Sequence, residues 1–84
     1  MLLYFKGDMM KSCIERIREL REDNDLSQTQ IAEILDTTQQ VYSRYEKGIN
    51  EIPVRHIIAL SRFYNVSCDY ILGESDIKEK ADKN

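Results

Sequence analysis

The sequence predicts an all-α domain of five short helices with no convincing strand. Three observations carry this. Apolar residues recur at three- and four-residue spacing rather than alternating. Ser-x-x-Glu and Ser-x-x-Gln pairs stand where helices should open. Gly, Asn and Pro fall between the periodic stretches, where helices stop and start.

Each element can be justified in order. Ser12 with Glu15 reads as a capping box, and Ile14, Ile17 and Leu20, with Arg21 beside them, give a first helix to about Asn24. Ser27 with Gln30 forms a second box ahead of Ile31, Ala32 and Leu35, so a second helix spans Gln28 to Leu35. Asp36-Thr37 makes a tight turn. Thr38 is an N-cap for a third helix carrying Tyr42 and Tyr45, which Gly48 ends as a left-handed cap. Pro53 suits the first position of a fourth helix, whose inner face is Val54, Ile57, Leu60, the small Ser61 and Tyr64. Asn65 is the next left-handed cap. Ser67 opens a fifth helix, Cys68 to Leu72, and Gly73 closes it. The organisation is an N-terminal extension over 1–11, one domain over 12–73, and a polar tail over 74–84 that is frayed or orders only against a partner.

Composition bounds the function. Eighty-four residues with a net charge of −3 and 42% hydrophobic content describe one small soluble domain. No apolar run approaches the roughly 20 residues that span a bilayer. MLLYFKGDMMK lacks the basic start and cleavage site of a signal peptide, so a cytoplasmic location is expected. Two cysteines 55 positions apart and a single histidine are too few soft ligands for a zinc site; two reduced, half-buried thiols are expected. His56 is expected on the surface of the fourth helix, and Arg55 either touches phosphate or is simply solvated. No nucleophile–His–acid set, metal cluster or glycine-rich phosphate loop is present, so neither an enzyme, a cofactor nor a small-molecule ligand is expected.

The stretch TTQQVYSRYEKG, Thr37 to Gly48, points to a function. Two short helices joined by about three residues form a helix-turn-helix, whose second helix enters the major groove with its leading residues toward base edges. Gln39 and Gln40 stand at that leading end, where a surface helix would ordinarily carry the better helix formers Glu and Lys. A Gln amide offers a donor and an acceptor in one plane, matching the N6/N7 edge of adenine. Val41 can press a methyl on thymine. Arg44, one turn beyond Gln40, can reach a guanine edge or a phosphate. The overall acidity argues against a nucleic-acid partner, but Thr37 to Arg55 holds three bases against two acids, and at short Debye length the local sign matters more. The N-termini of the second and fourth helices can also hold phosphates without a lysine.

LSQTQIAEILDTTQQVYSRYEKGINEIPVRHIIALSRFYNVSCDYILG, Leu26 to Gly73, resembles the Cro/C1-type (XRE family) helix-turn-helix domain, and the likeness extends back to about Ser12. It rests on SQ opening the second helix, Ala32, SRYEKG and NVSCDYILG. TTQQ is similar to the recognition helices of some lambdoid phage repressors, and the IP…YNVS…DYILG half to small regulators of Firmicutes-type bacteria. The resemblance implies a five-helix lambda-repressor-like fold. It gives Gln28 the role of holding a backbone phosphate and buttressing the recognition helix. It gives Thr38, Gln39, Gln40, Val41, Ser43 and Arg44 the DNA-facing positions, and Lys47 and Asn50 the loop that reaches phosphate. Arg21 and Glu46 match a structural pair tying the first helix to the third. Two positions depart: the usual turn glycine is Asp36, and the usual aliphatic core residue is Tyr42, which needs a roomier pocket or a hydroxyl at the surface.

Ile34 falls off the core face of the second helix, and Tyr4, Phe5, Ile71 and Ile77 are also unassigned, so some apolar area is expected to meet a second subunit. The expected function is a sequence-specific, double-stranded DNA-binding transcriptional regulator, a repressor acting as a homodimer on an inverted repeat. The rival from another class is an antitoxin-like interaction module that neutralises a partner protein.

Overall fold

The computed structural model describes the backbone of residues 2–80 and the side chains of 12–80. Five helices follow in order: α1 Leu2–Asp23, α2 Gln28–Ile34, α3 Gln39–Lys47, α4 Val54–Tyr64 and α5 Cys68–Leu72. α1 packs on α5 and α3, α2 on α3, and α4 on α5. The described residues contain no strand. The core is Cys13, Ile17 and Leu20 of α1, Ile31, Ala32 and Leu35 around α2, and Tyr42 and Tyr45 of α3. Ile57 and Leu60 of α4, with Val66 and Ile71, complete it.

Helix starts follow the side-chain caps. The Ser27 hydroxyl accepts from the Gln30 amide while the Gln30 side chain accepts from the Ser27 amide, a closed capping box. Thr38 and Ser67 accept from the Val41 and Tyr70 amides. Ser12 behaves differently. α1 runs unbroken from Leu2, so Ser12 lies inside the helix and caps nothing. Its side chain instead lies against Gly73, where an added Cβ would come within 2.5 Å of the Ser12 Cβ.

Helix ends share one device. An amide two or three positions beyond the helix bonds back five residues in each case: Leu26 to Arg21, Thr37 to Ala32, Ile49 to Arg44, Val66 to Ser61 and Glu74 to Asp69. Each such turn needs a left-handed residue, supplied by Asp25, Asp36, Gly48, Asn65 and Gly73. Asp36, where a glycine is usual, thus adopts the glycine-like conformation itself, with φ 58°. Pro53 stands one position earlier than expected, as the N-cap of α4.

One expectation is decided between its alternatives and others need correction, among them Val54, expected on the inner face of α4 but exposed. Tyr42 is fully buried and its hydroxyl stays inside, without a hydrogen-bond partner among the described residues, so the core and not a surface exit accommodates it. Ile71 is core and offers nothing to a second subunit, whereas Ile34 and Ile77 are exposed. The side chains of Tyr4 and Phe5 lie outside the described residues. The segment after Gly73 is irregular but attached: Arg16 donates to the Tyr70 and Ser75 carbonyls and to Asp76, and the Ser67 amide donates to the Lys78 carbonyl. Both thiols are free; burial pushes the Cys13 thiol up to about 11, which leaves it protonated and inert.

Candidate nucleic-acid interface

The nine residues of α3 divide cleanly between core and solvent. Tyr42, Tyr45 and Glu46 are buried. Gln40, Arg44 and Lys47, at i, i+4 and i+7, are exposed on the opposite side with half-buried Ser43 between them. Among the described residues, none of Gln40, Arg44, Lys47 or the exposed loop residue Asn50 makes a side-chain hydrogen bond. Val41 is half-buried against the core, so only part of its side chain faces outward. Thr38 is exposed with its hydroxyl occupied as the cap of α3.

Buried polar groups hold this face in place. Arg21 of α1 grips the Glu46 carboxylate with two donors, Nε at 2.7 Å and Nη2 at 3.1 Å, and gives its third nitrogen to the Leu26 carbonyl. Gln28 of α2 donates from Nε2 to the same carboxylate at 3.0 Å. Glu46 is only 3% exposed. Burial works to raise its pKa, but the donors on the carboxylate outweigh it, Arg21 first and then Gln28. The carboxyl is held below its usual range and stays ionised. Arg18 donates to the Glu46 carbonyl, a cation at the negative end of α3. Gln39, at the start of α3, donates from Nε2 to the Gln28 Oε1 at 2.7 Å. α1, α2 and α3 are thereby joined through one chain of side chains.

On the other flank His56 is buried, not on the surface as its sequence context suggested. Its Nδ1 lies 3.1 Å from the Tyr45 hydroxyl, and the two rings meet edge to face. Burial, and after it the neighbouring Arg55, hold the imidazole below its usual pKa. The signal was present: His56 lies four residues before Leu60 and beside Ile57, on the buried stripe of α4.

A helix-turn-helix family model matches residues 17–71, more than half of the chain. The chain belongs to the Cro/C1-type (XRE) helix-turn-helix family. These are DNA-binding transcriptional regulators. The uncharacterized HTH-type transcriptional regulator YobD of Bacillus subtilis is 37% identical over 62 residues, covering 74% of this chain and 55% of its own. The HTH-type regulator ImmR of the same organism is 32% identical over 66 residues, 79% and 52% of the two chains. The cryptic phage CTXphi transcriptional repressor RstR of Vibrio cholerae is 30% identical over 61 residues, 73% and 55%. The chain therefore spans about half the length of the curated relatives it matches. No solved structure matches at comparable significance.

Several readings made from the resemblance to the XRE family have direct structural counterparts. Arg21 and Glu46 form the structural tie between α1 and α3. Gln28 braces α3 through both Glu46 and Gln39. No helix among the described residues is long and apolar enough to cross a membrane, and no metal-binding cluster of His, Cys, Asp or Glu occurs among them.

Proposed function

We propose that this domain binds double-stranded DNA sequence-specifically as a homodimer on an inverted repeat, and represses by occupying promoter DNA in the cytoplasm. The observation that carries this reading is the outward face of α3: Gln40 at its leading end, then Arg44 and Lys47, none with a side-chain hydrogen bond among the described residues, beside Gln39, whose amide is held by Gln28. Gln39 and Gln40 read base edges, Ser43 and part of Val41 approach the groove wall, and Arg44 reaches a guanine or a phosphate. Gln28, Thr38, Lys47 and Asn50 contact the backbone. One short helix brings only three or four side chains to base edges, too few to select a genomic site; a twofold dimer with half-sites one helical turn apart, about 34 Å, doubles the readout. That a phage repressor stands among the relatives supports the negative sign of regulation.

The test is selection of bound sequences from a random duplex library at near-physiological salt. An enriched inverted repeat is expected, with Gln39→Ala and Gln40→Ala each relaxing preference at one base pair by roughly 1–3 kcal/mol. With few basic contacts, the salt dependence should be shallow, well short of about ten released counterions. No enrichment by the folded protein overturns the reading in favour of a protein-interaction module.

A further inference from the structure

The chain Glu46–Gln28–Gln39 has a direction, and that direction is chemically enforced. An ionised carboxylate only accepts hydrogen bonds, whereas a carboxamide both donates and accepts. Glu46 therefore fixes Gln28 with its Nε2 inward, 3.0 Å from Oε1 of the acid. Gln28 Oε1 then faces outward and can only accept. Gln39 must present Nε2 to it, as it does at 2.7 Å. With Gln39 reversed, two amide oxygens would meet at that distance. What remains free on Gln39 is one N–H and the whole of Oε1, in a fixed left-to-right order. That order distinguishes the adenine edge, N7 acceptor beside N6 donor, from its mirror arrangement.

We propose that Glu46 is a positioning residue for base readout: through Gln28 it sets which way the Gln39 amide presents its donor and acceptor to DNA. The inference rests on the reading of Gln39 as a base-contacting residue and deepens it. Glu46 touches no DNA. Its role in readout is distinct from tying α1 to α3, because the tie needs only the charge pair with Arg21, whereas the polarity of the relay needs an acceptor-only group facing Gln28.

Two substitutions separate these roles. Glu46→Gln replaces the acceptor by a group that can face Gln28 with either end, so both orientations of Gln28 and Gln39 become available. Gln28→Met removes the relay while leaving Arg21–Glu46 intact, and remains informative if Glu46→Gln fails to fold. Each is compared with the unaltered protein and with Gln39→Ala by competition binding on every single-base variant of the selected half-site. Both variants are expected to lose roughly tenfold discrimination at one base pair, the one at which Gln39→Ala also loses it, and to keep discrimination elsewhere. Unchanged discrimination at the Gln39 position, with or without the uniform loss of affinity that removing the Gln28 backbone contact brings, overturns the relay while the readout reading stands. If Gln39→Ala itself alters no position, the readout reading fails, and the relay with it.

Discussion

α3 is held from two sides by buried polar contacts, and the two differ in kind. On the α1 and α2 side the Glu46 carboxylate is ringed by Arg21 and Gln28, with charge on both partners of the main pair. On the α4 side Tyr45 and His56 share one neutral hydrogen bond and an edge-to-face ring contact. A saturated charged network costs much desolvation and is unforgiving when one member is lost. A neutral aromatic pair gives most of its stabilisation through packing and survives loss of its hydrogen bond. The comparison teaches where α3 is positioned and where it is merely packed. The charged side reaches the leading residue of the helix through Gln28; the neutral side stops at the core.

The sharpest way to break this contrast is Glu46→Ala. It leaves the Arg21 guanidinium, whose side chain is 15% exposed, without its charge partner. The expected loss is about 3–5 kcal/mol, which for a domain of this size lowers the melting temperature by about 15 °C or more. A shift no larger than that of a Tyr45 variant would erase the distinction between the two sides.

pH separates the two attachments. The folded state holds His56 below its usual value of 6.5, first through burial and then through Arg55. Asp36 from the α2–α3 turn lines a surface pocket together with Arg55 and His56, and Tyr45 faces the ring from α3. Folding thus favours the neutral ring, so this contribution is present above pH 6.5 and is lost as pH falls below it toward the depressed folded value. Glu46 is also depressed, from 4.5, so its contribution persists through that window and is lost only as pH falls further through its folded value. Melting temperature should therefore decline in two stages on acidification. His56→Leu should abolish the first, since the chain holds one histidine. A first stage that survives in His56→Leu would assign it elsewhere. Smaller still is Tyr45→Phe, which keeps the ring contact, removes the hydrogen bond to Nδ1 and should cost about 1 kcal/mol.

The sequence made the helices legible because their signals are local. Ser27 with Gln30, Thr38, Gly48, Asn65 and Gly73 each carry a cap within a few residues, and each stands where expected. Ser12 with Glu15 has the same spelling, yet the helix runs through it. A capping box signals a start only if the preceding residues are not helical, which Ser12 and Glu15 alone do not decide. Asp25 and Asp36 were illegible as left-handed caps, because Asp is common in any polar turn, whereas Gly and Asn announce the conformation. Of the candidate site, the outward stripe of α3 followed from spacing, and the Arg21–Glu46 tie from family resemblance. The Gln28–Gln39 bond and the burial of His56 depend on how α2 and α4 pack against α3. That is tertiary information, carried by no single helical period.

Asp36 supplies the smallest effect and the cleanest control. Besides the Gln28–Gln39 bond, the leading end of α3 is held by the backbone turn in which Asp36 sits at φ 58° and the Thr37 amide returns to the Ala32 carbonyl at 2.9 Å. A Cβ in the left-handed region is strained, although Asp tolerates it better than most residues, and glycine relieves the strain at some cost in unfolded-chain entropy. Asp36→Gly should therefore stabilise by no more than about 1 kcal/mol, a rise of a few degrees in melting temperature, with base preference unchanged. Opposite signs for stability here and in Glu46→Ala make the pair diagnostic. If base selectivity simply tracked stability, Asp36→Gly would sharpen it. If the charged network positions the readout, selectivity moves with Glu46 and Gln28 and is indifferent to Asp36.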